Sequence, residues 1–254
     1  MTTATKKVLA FDLDDTLAIT KSPITAEMAT VLTEVLRHYD ICIISGGRFE
    51  QFQTQIIDQL SINDELLARL HLMPTCGTRY YRHNTETGIW DLQYAEDLTR
   101  AQKDAVIDAL ESAAKQLGYW EANPAGPIIE DRESQITYSA LGQFAAPADK
   151  YAWDPDGVKK MAIRDLVVPK LPGLEVRVGG TTSVDVTAIG IDKAYGMQKL
   201  MDHLHIQKED ILFFGDKLQE GGNDYPVKAF GIESIEVKNE HDTIVRLKGI
   251  LTTI

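Results

Sequence analysis

Three short apolar runs along the chain share one grammar. Val8-Leu9-Ala10-Phe11 ends in Asp12, Ile41-Cys42-Ile43-Ile44 ends in Ser45-Gly46-Gly47, and Ile211-Leu212-Phe213-Phe214 ends in Gly215-Asp216. Unbroken runs of this length fit strands covered on both faces, as in a parallel sheet. Between them the period changes. Met28, Leu32, Val35 and Leu36 recur at helical spacing over residues 25–39, with Thr25 as N-cap, and further helices are predicted over 49–60 and 193–204. This alternation predicts an α/β fold, in which ligands bind outside the carboxyl ends of the strands. The polar residues that follow the three runs should therefore meet in one crevice.

The middle of the chain is patterned differently. Residues 90–94 alternate like a strand, residues 97–117 read as an amphipathic helix ending at Gly118, and strands are predicted at 128–130 and 135–141. A second helix, residues 155–168 with Asp154 as its cap, precedes a strand pair at 174–178 and 183–188 around Gly179-Gly180-Thr181-Thr182. A helix plus a strand pair, used twice, predicts an α+β unit with an antiparallel sheet. It is expected as an insertion over residues 84–186, in a core made of 1–83 and 187–254.

Composition narrows the function classes. Of 254 residues, 44% are hydrophobic and 25% charged, which is ordinary for a globular chain. Lys and Arg total 26 against 38 Asp and Glu, a net charge of −12 that makes a poor partner for nucleic acid or an anionic membrane. Phosphate chemistry on such a chain requires local cations or a metal. The two cysteines, Cys42 and Cys76, make neither a disulfide framework nor a zinc site. The histidines share no ligand spacing, and Trp90, Trp120 and Trp153 are assigned to packing in the inserted unit. Val8 to Phe11 is too short for a signal peptide or a spanning helix, so a cytoplasmic monomer or homodimer is the expectation.

The chemistry sits where the apolar runs end. Asp12 and Asp14 lie two apart, so an extended backbone would aim both side chains the same way. One carboxylate can attack phosphorus while its neighbour moves a proton, although acids near turns are also ordinary solvated residues. The second acidic stretch, Gly215-Asp216 to Gly222-Asn223-Asp224, shifts that balance. Asp216 facing Asp12, with Asn223 or Asp224 in support, offers the oxygen set that Mg²⁺ takes. Ser45-Gly46-Gly47 before a helix can cradle an anion, and Lys193 at a helix start suits a phosphate clamp better than the helix dipole.

Taken together, Asp12-Leu13-Asp14-Asp15-Thr16, Ser45, Lys193 and Gly215-Asp216 to Gly222-Asn223-Asp224 resemble the four ordered motifs of the haloacid dehalogenase (HAD) superfamily. The resemblance implies a Rossmann-like core, Asp12 as nucleophile and Asp14 as general acid/base. It implies Ser45, Gly46 and Lys193 around the phosphoryl oxygens, and Mg²⁺ on Asp12, the Asp14 carbonyl and Asp216. The insertion is similar to the C2 cap of subfamily IIB, the Cof-like group. Within that group, Gly179 to Val186, Asp192-Lys193, Phe213 to Lys217 and Ile129-Glu130-x-Arg132 resemble eukaryotic-type phosphomannomutase, which implies substrate contacts from Arg132, Ser183 and Asp185. Departures also stand out. Positions where that family places arginines carry Gln143, Ala125 and Lys21, and neither Gln nor Ala offers the planar fork of Arg to a phosphate. The expectation is therefore a Mg²⁺-dependent phosphatase acting on a small phosphorylated metabolite, a sugar phosphate. A phosphohexomutase is the alternative, and a non-catalytic binding module is the third reading.

Overall fold

A computed structural model describes residues 6–253, so the first five residues of the expected core lie outside the described part. The first apolar run becomes β1 (Val8–Phe11), every residue of it buried, because both faces of the sheet are covered. After it come α1 (Ala26–Leu36), β2 (Asp40–Ile44), α2 (Phe49–Gln55), α3 (Asp64–Leu67) and β3 (Leu70–Met73). β4 (Arg79–Asn84) and β5 (Ile89–Ala95) complete the first stretch of the large unit. The small unit holds α4 (Arg100–Gln116), β6 (Ile129–Asp131), β7 (Gln135–Ser139), α5 (Pro147–Trp153), α6 (Val158–Val167), β8 (Leu174–Val178) and β9 (Ser183–Ala188). The chain then returns through α7 (Lys193–Leu204), β10 (Ile211–Gly215), α8 (Tyr225–Ala229), β11 (Glu233–Glu236) and α9 (Glu240–Leu251). Among the described residues, no helix is long and apolar enough to cross a membrane.

The large unit is built on a seven-stranded sheet, ordered β11-β10-β1-β2-β3-β4-β5. Its first five strands are parallel. Phe11 is in register with Phe214 on one side and Ile43 on the other, so the three apolar runs end side by side. Successive residues face opposite cores. Leu9, Phe11, Ile41 and Ile43 pack with α1 and α9, while Val8, Ala10, Cys42 and Ile44 pack with α7. Thr25 caps α1 as predicted, accepting from the Met28 amide.

The small unit is a four-stranded antiparallel sheet, ordered β6-β7-β9-β8. One face supplies Ile136, Tyr138, Val176, Val184 and Val186 to a core shared with α4 and α6. The alternate residues, Gln135, Thr137, Ser139, Ser183 and Asp185, make the other face polar.

The compact units meet at different residues from those predicted. Among the described residues they comprise 6–95 with 191–253, and 96–190. The stretch 84–95 stays with the large sheet because Asn84 closes a tight turn, its side chain accepting from the Glu86 and Thr87 amides, and β5 then pairs along all of β4. Trp90 accordingly packs beside His83 and Phe49 in the large unit, not in the insertion. In the small unit, Thr99 forms a capping box with Gln102, which starts α4 three residues later than predicted. Asp154 is not the N-cap of α6, which is Gly157, but its carboxylate accepts from the first-turn amides of Lys159 and Lys160 at 3.0 Å. The helix itself begins only at Val158, after a turn through the left-handed Gly157.

Candidate active site

The parallel register places Asp12 at the carboxyl end of the central strand, where its amide donates to the Phe214 carbonyl at 3.0 Å. Both neighbours of β1 end at the same level, so Ser45 and Asp216 follow on either side. Asp12, Asp216 and Asp224 offer oxygens that all lie within 4.8 Å of one another. Lys193, the first residue of α7, is only 2% exposed and reaches into this group, 2.5 Å from Asp12 and 2.6 Å from Asp224. Asp192 makes that placement possible by capping α7 through the Tyr195 amide.

Burial dominates the electrostatics. It pushes the Asp12 carboxyl up from the usual range; the Lys193 ammonium pulls it back, and the Asp224 charge adds to the rise. Burial would lower Lys193, but Asp12 and Asp224 more than offset this and hold it charged, above its ordinary value. Asp216 is also raised by burial, against a 3.0 Å ion pair with Lys217. Asp224, fully buried, has both oxygens engaged: Oδ1 accepts from Lys193, and Oδ2 from the Lys217 amide at 3.1 Å. Asp216 Oδ1 is buried with no hydrogen-bond partner. A buried carboxylate oxygen left unpaired is costly unless a cation meets it. The oxygen chemistry suits a hard cation such as Mg²⁺, which Asp12 and Asp216 could hold while Asp224 keeps Lys193 in place.

The other predicted residues divide. Asp14 lies outside the carboxylate group, because its oxygens take donors from the Lys21 amide, Gln51 and Gln55. What remains to it as a metal ligand is its backbone carbonyl. Asn223 is exposed on the loop. Ser45 is buried, its Oγ accepting from the Gly47 amide at 3.2 Å, and the Gly46 backbone lies between them. In the small unit, Arg132 donates twice to Glu130, at 2.9 and 2.7 Å. Asp185 accepts from Thr137 and Gln135, and Ser183 lies 3.5 Å from Ser139, which Gln143 also reaches. Three site residues went unread in the sequence. Lys217 was legible as a cation beside Asp216, whereas Gln51 and Gln55 carry only an i, i+4 spacing.

Comparison with known proteins fits this geometry. The model of the family described as eukaryotic phosphomannomutase matches residues 28–253. The chain belongs to that family. It is an enzyme of the HAD phosphoryl-transfer class. A probable phosphomannomutase of Caenorhabditis elegans is 27% identical over 238 residues, covering 89% of this chain and 87% of the relative. Among solved structures, a truncated Plasmodium falciparum IMP-nucleotidase superposes with a TM-score of 0.70 at 18% identity, over 98% of this chain and 71% of that one. A haloacid dehalogenase-like hydrolase from Bacteroides thetaiotaomicron gives 0.66 at 15%, over 96% and 99%. At such identities the structural likeness speaks for the fold alone. The sequence relatives favour the mutase alternative over the phosphatase expected from the missing arginines.

Proposed function

We propose that the protein is a hexose-phosphate mutase of the phosphomannomutase kind, passing a phosphoryl group through Asp12. The observation that carries this is the family match over residues 28–253, which takes in Ser45, Lys193, Asp216 and Asp224 and the polar sheet face of the small unit. Asp12 attacks phosphorus, the bond to the sugar oxygen breaks, and Asp14 gives that oxygen its proton. In the return step Asp14 takes a proton from the free hydroxyl of a sugar monophosphate, which receives the phosphoryl group from Asp12 and becomes the bisphosphate that can reload it. Ser45, the Gly46 backbone and Lys193 hold the phosphoryl oxygens, and Lys193 supplies charge where the transferring group needs it. Mg²⁺ on Asp12, the Asp14 carbonyl and Asp216 would supply further neutralisation of phosphoryl charge. Arg132, Ser183 and Asp185 serve as sugar contacts on the small unit.

A second reading, hydrolysis, is favoured by one specific feature. With Gln143 and Ala125 in place of arginines and Arg132 paired with Glu130, the guanidinium forks for a second phosphate are missing at two positions and engaged at a third. The aspartyl-phosphate would then pass to water. The deciding experiment offers mannose 1-phosphate and Mg²⁺, with and without a hexose 1,6-bisphosphate, and follows isomer and free phosphate together. Bisphosphate-stimulated 6-phosphate supports the mutase. Stoichiometric free phosphate without isomer supports the phosphatase, and neither product across a panel of sugar phosphates rejects both.

A further inference from the structure

Asp14 is held by more donors than a turn carboxylate needs. Its Oδ1 accepts from the Lys21 amide at 2.9 Å and from Gln55 Nε2 at 3.2 Å. Its Oδ2 accepts from Gln51 Nε2 at 3.0 Å, with Lys21 Nζ 3.7 Å away. Lys21 Nζ in turn donates to Gln51 Oε1 at 2.5 Å. Lys21 adopts a left-handed φ of +59°, which is uncommon for a side chain of this kind.

Gln55 is the telling residue. It is 2% exposed, beside the fully buried Phe52 and Ile56, where an apolar side chain would pack without penalty. Its Nε2 donates to both Asp14 and the Ser22 carbonyl, so the amide can face only one way. That leaves Gln55 Oε1 buried with no partner. An unpaired buried amide oxygen does not serve stability, and its cost is explicable if the other end of the amide has work to do. Gln51 and Gln55 are one turn apart on α2, so a single helix face meets both oxygens of Asp14.

We infer that Gln51 and Gln55, together with Lys21, are positioning residues that fix the carboxyl of Asp14 for proton transfer. This rests on the assignment of Asp14 as general acid/base above. When the bond from phosphorus to the leaving oxygen breaks, the electron pair stays on that oxygen and the proton of Asp14 joins it. A sugar alkoxide needs that proton; p-nitrophenolate does not. In this first step, loss of the holders therefore acts on one class of leaving group.

The test compares first-turnover transfer to Asp12 from mannose 6-phosphate and from p-nitrophenyl phosphate, each with Mg²⁺, in the wild type, Gln51→Leu and Gln55→Leu, with Thr54→Ala on the exposed side of α2 as the control. The expected result is a fall of about tenfold or more in the ratio of alkyl to aryl turnover for both glutamine variants, against a general-acid contribution on the order of 10²–10⁴, and an unchanged ratio for Thr54→Ala. An unchanged ratio in the glutamine variants overturns the inference. A double-mutant cycle of Asp14→Ala with Gln51→Leu, read from the denaturant midpoint, needs no turnover. Non-additive shifts support the pairing, and additive ones overturn it. A wild type that accepts a phosphoryl group from neither ester nor from a hexose 1,6-bisphosphate rejects the proposed function, while the cycle still judges the pairing.

Discussion

At the scale of single residues, Lys193 shows how far chemistry was legible in the chain. A lysine opening a helix is misplaced for the dipole, and that misplacement was the signal. Its two carboxylate partners, Asp12 after β1 and Asp224 at the start of α8, lie far apart in sequence and needed the fold to be seen. Asp12→Asn removes the carboxylate proposed above as nucleophile, so phosphoryl transfer and acid-stable loading of the protein with phosphate should both fall to background. Lys193→Met goes further, because it leaves Asp12 and Asp224 buried beside each other without their ammonium. A loss of about 3–5 kcal/mol in unfolding free energy is expected by denaturant titration, and a stability within error of wild type would contradict the buried-pair geometry. A third residue had no signal at all. His71 is fully buried on β3, with Nδ1 2.6 Å from Tyr80 Oη and Nε2 3.6 Å from Asp40, facing Arg82 and His203 as well. Burial lowers its pKa below the ordinary 6.5, Arg82 lowers it further, and Asp40 opposes them. A base depressed in the folded state gives stability that is present above its unfolded value and lost as pH falls. The wild type should therefore lose stability from about pH 6.5 downward, by at most about 1.4 kcal/mol per pH unit from this group. His71→Gln should be less stable at pH 7.5 but show a shallower decline toward pH 5.5, and parallel curves for the two proteins would refute the assignment.

Elements were legible where one physical cause acted alone. β1, β2 and β10 are unbroken apolar runs because both faces are covered, and α7 was bounded correctly by its cap Asp192. α5 and the β4–β5 hairpin were not, since short segments with mixed burial carry little period, and their membership depends on pairing rather than on local pattern. One packing feature was invisible in the sequence. Gly196 on α7 lies against the turn Thr75–Gly77, whose three residues all have positive φ. A Cβ added at Gly196 would stand 2.7 Å from the Cys76 carbonyl oxygen and 2.4 Å from Ile44 Cδ1. The Ile44 side chain can move, but the backbone oxygen cannot without disturbing the turn that also bonds Ser45 and Gly47. Gly196→Ala should cost about 1–3 kcal/mol and reduce turnover, because Lys193 sits less than one turn away on the same helix. Gly249→Ala on α9 meets nothing within 4 Å, so it should stabilise by about 0.5–1 kcal/mol and leave turnover unchanged. Equal effects of the two substitutions on stability would show that α7 does not approach the turn so closely.

For the molecule as a whole, charge and fold pull in opposite directions. A chain of net charge −12 gathers three carboxylates at the end of its central strands, with Lys193 and Lys217 among them to compensate. The parallel sheet forces this meeting, because β1 and β10 are in register and each ends in an acid or a glycine-acid pair. That convergence was readable from the three apolar runs alone. The residue ranges of the two units were not, since pairing of β5 with β4 is a long-range matter that no local composition marks. The folded state therefore stores repulsion at one place, which the unfolded chain does not. A divalent cation that binds only there stabilises the fold by mass action, about 2.7 kcal/mol at a hundredfold excess over its dissociation constant. Mg²⁺ should raise the thermal midpoint in proportion to the logarithm of its concentration, and a chelator should reverse the rise. Asp216→Asn keeps the shape of the site but removes the carboxylate whose buried Oδ1 has no partner. In that variant the midpoint without Mg²⁺ should equal or exceed that of the wild type, because one charge fewer is confined there, and the response to Mg²⁺ should largely vanish. A Mg²⁺ response that survives Asp216→Asn intact would place the metal elsewhere, and no response in the wild type would remove the metal from the site altogether.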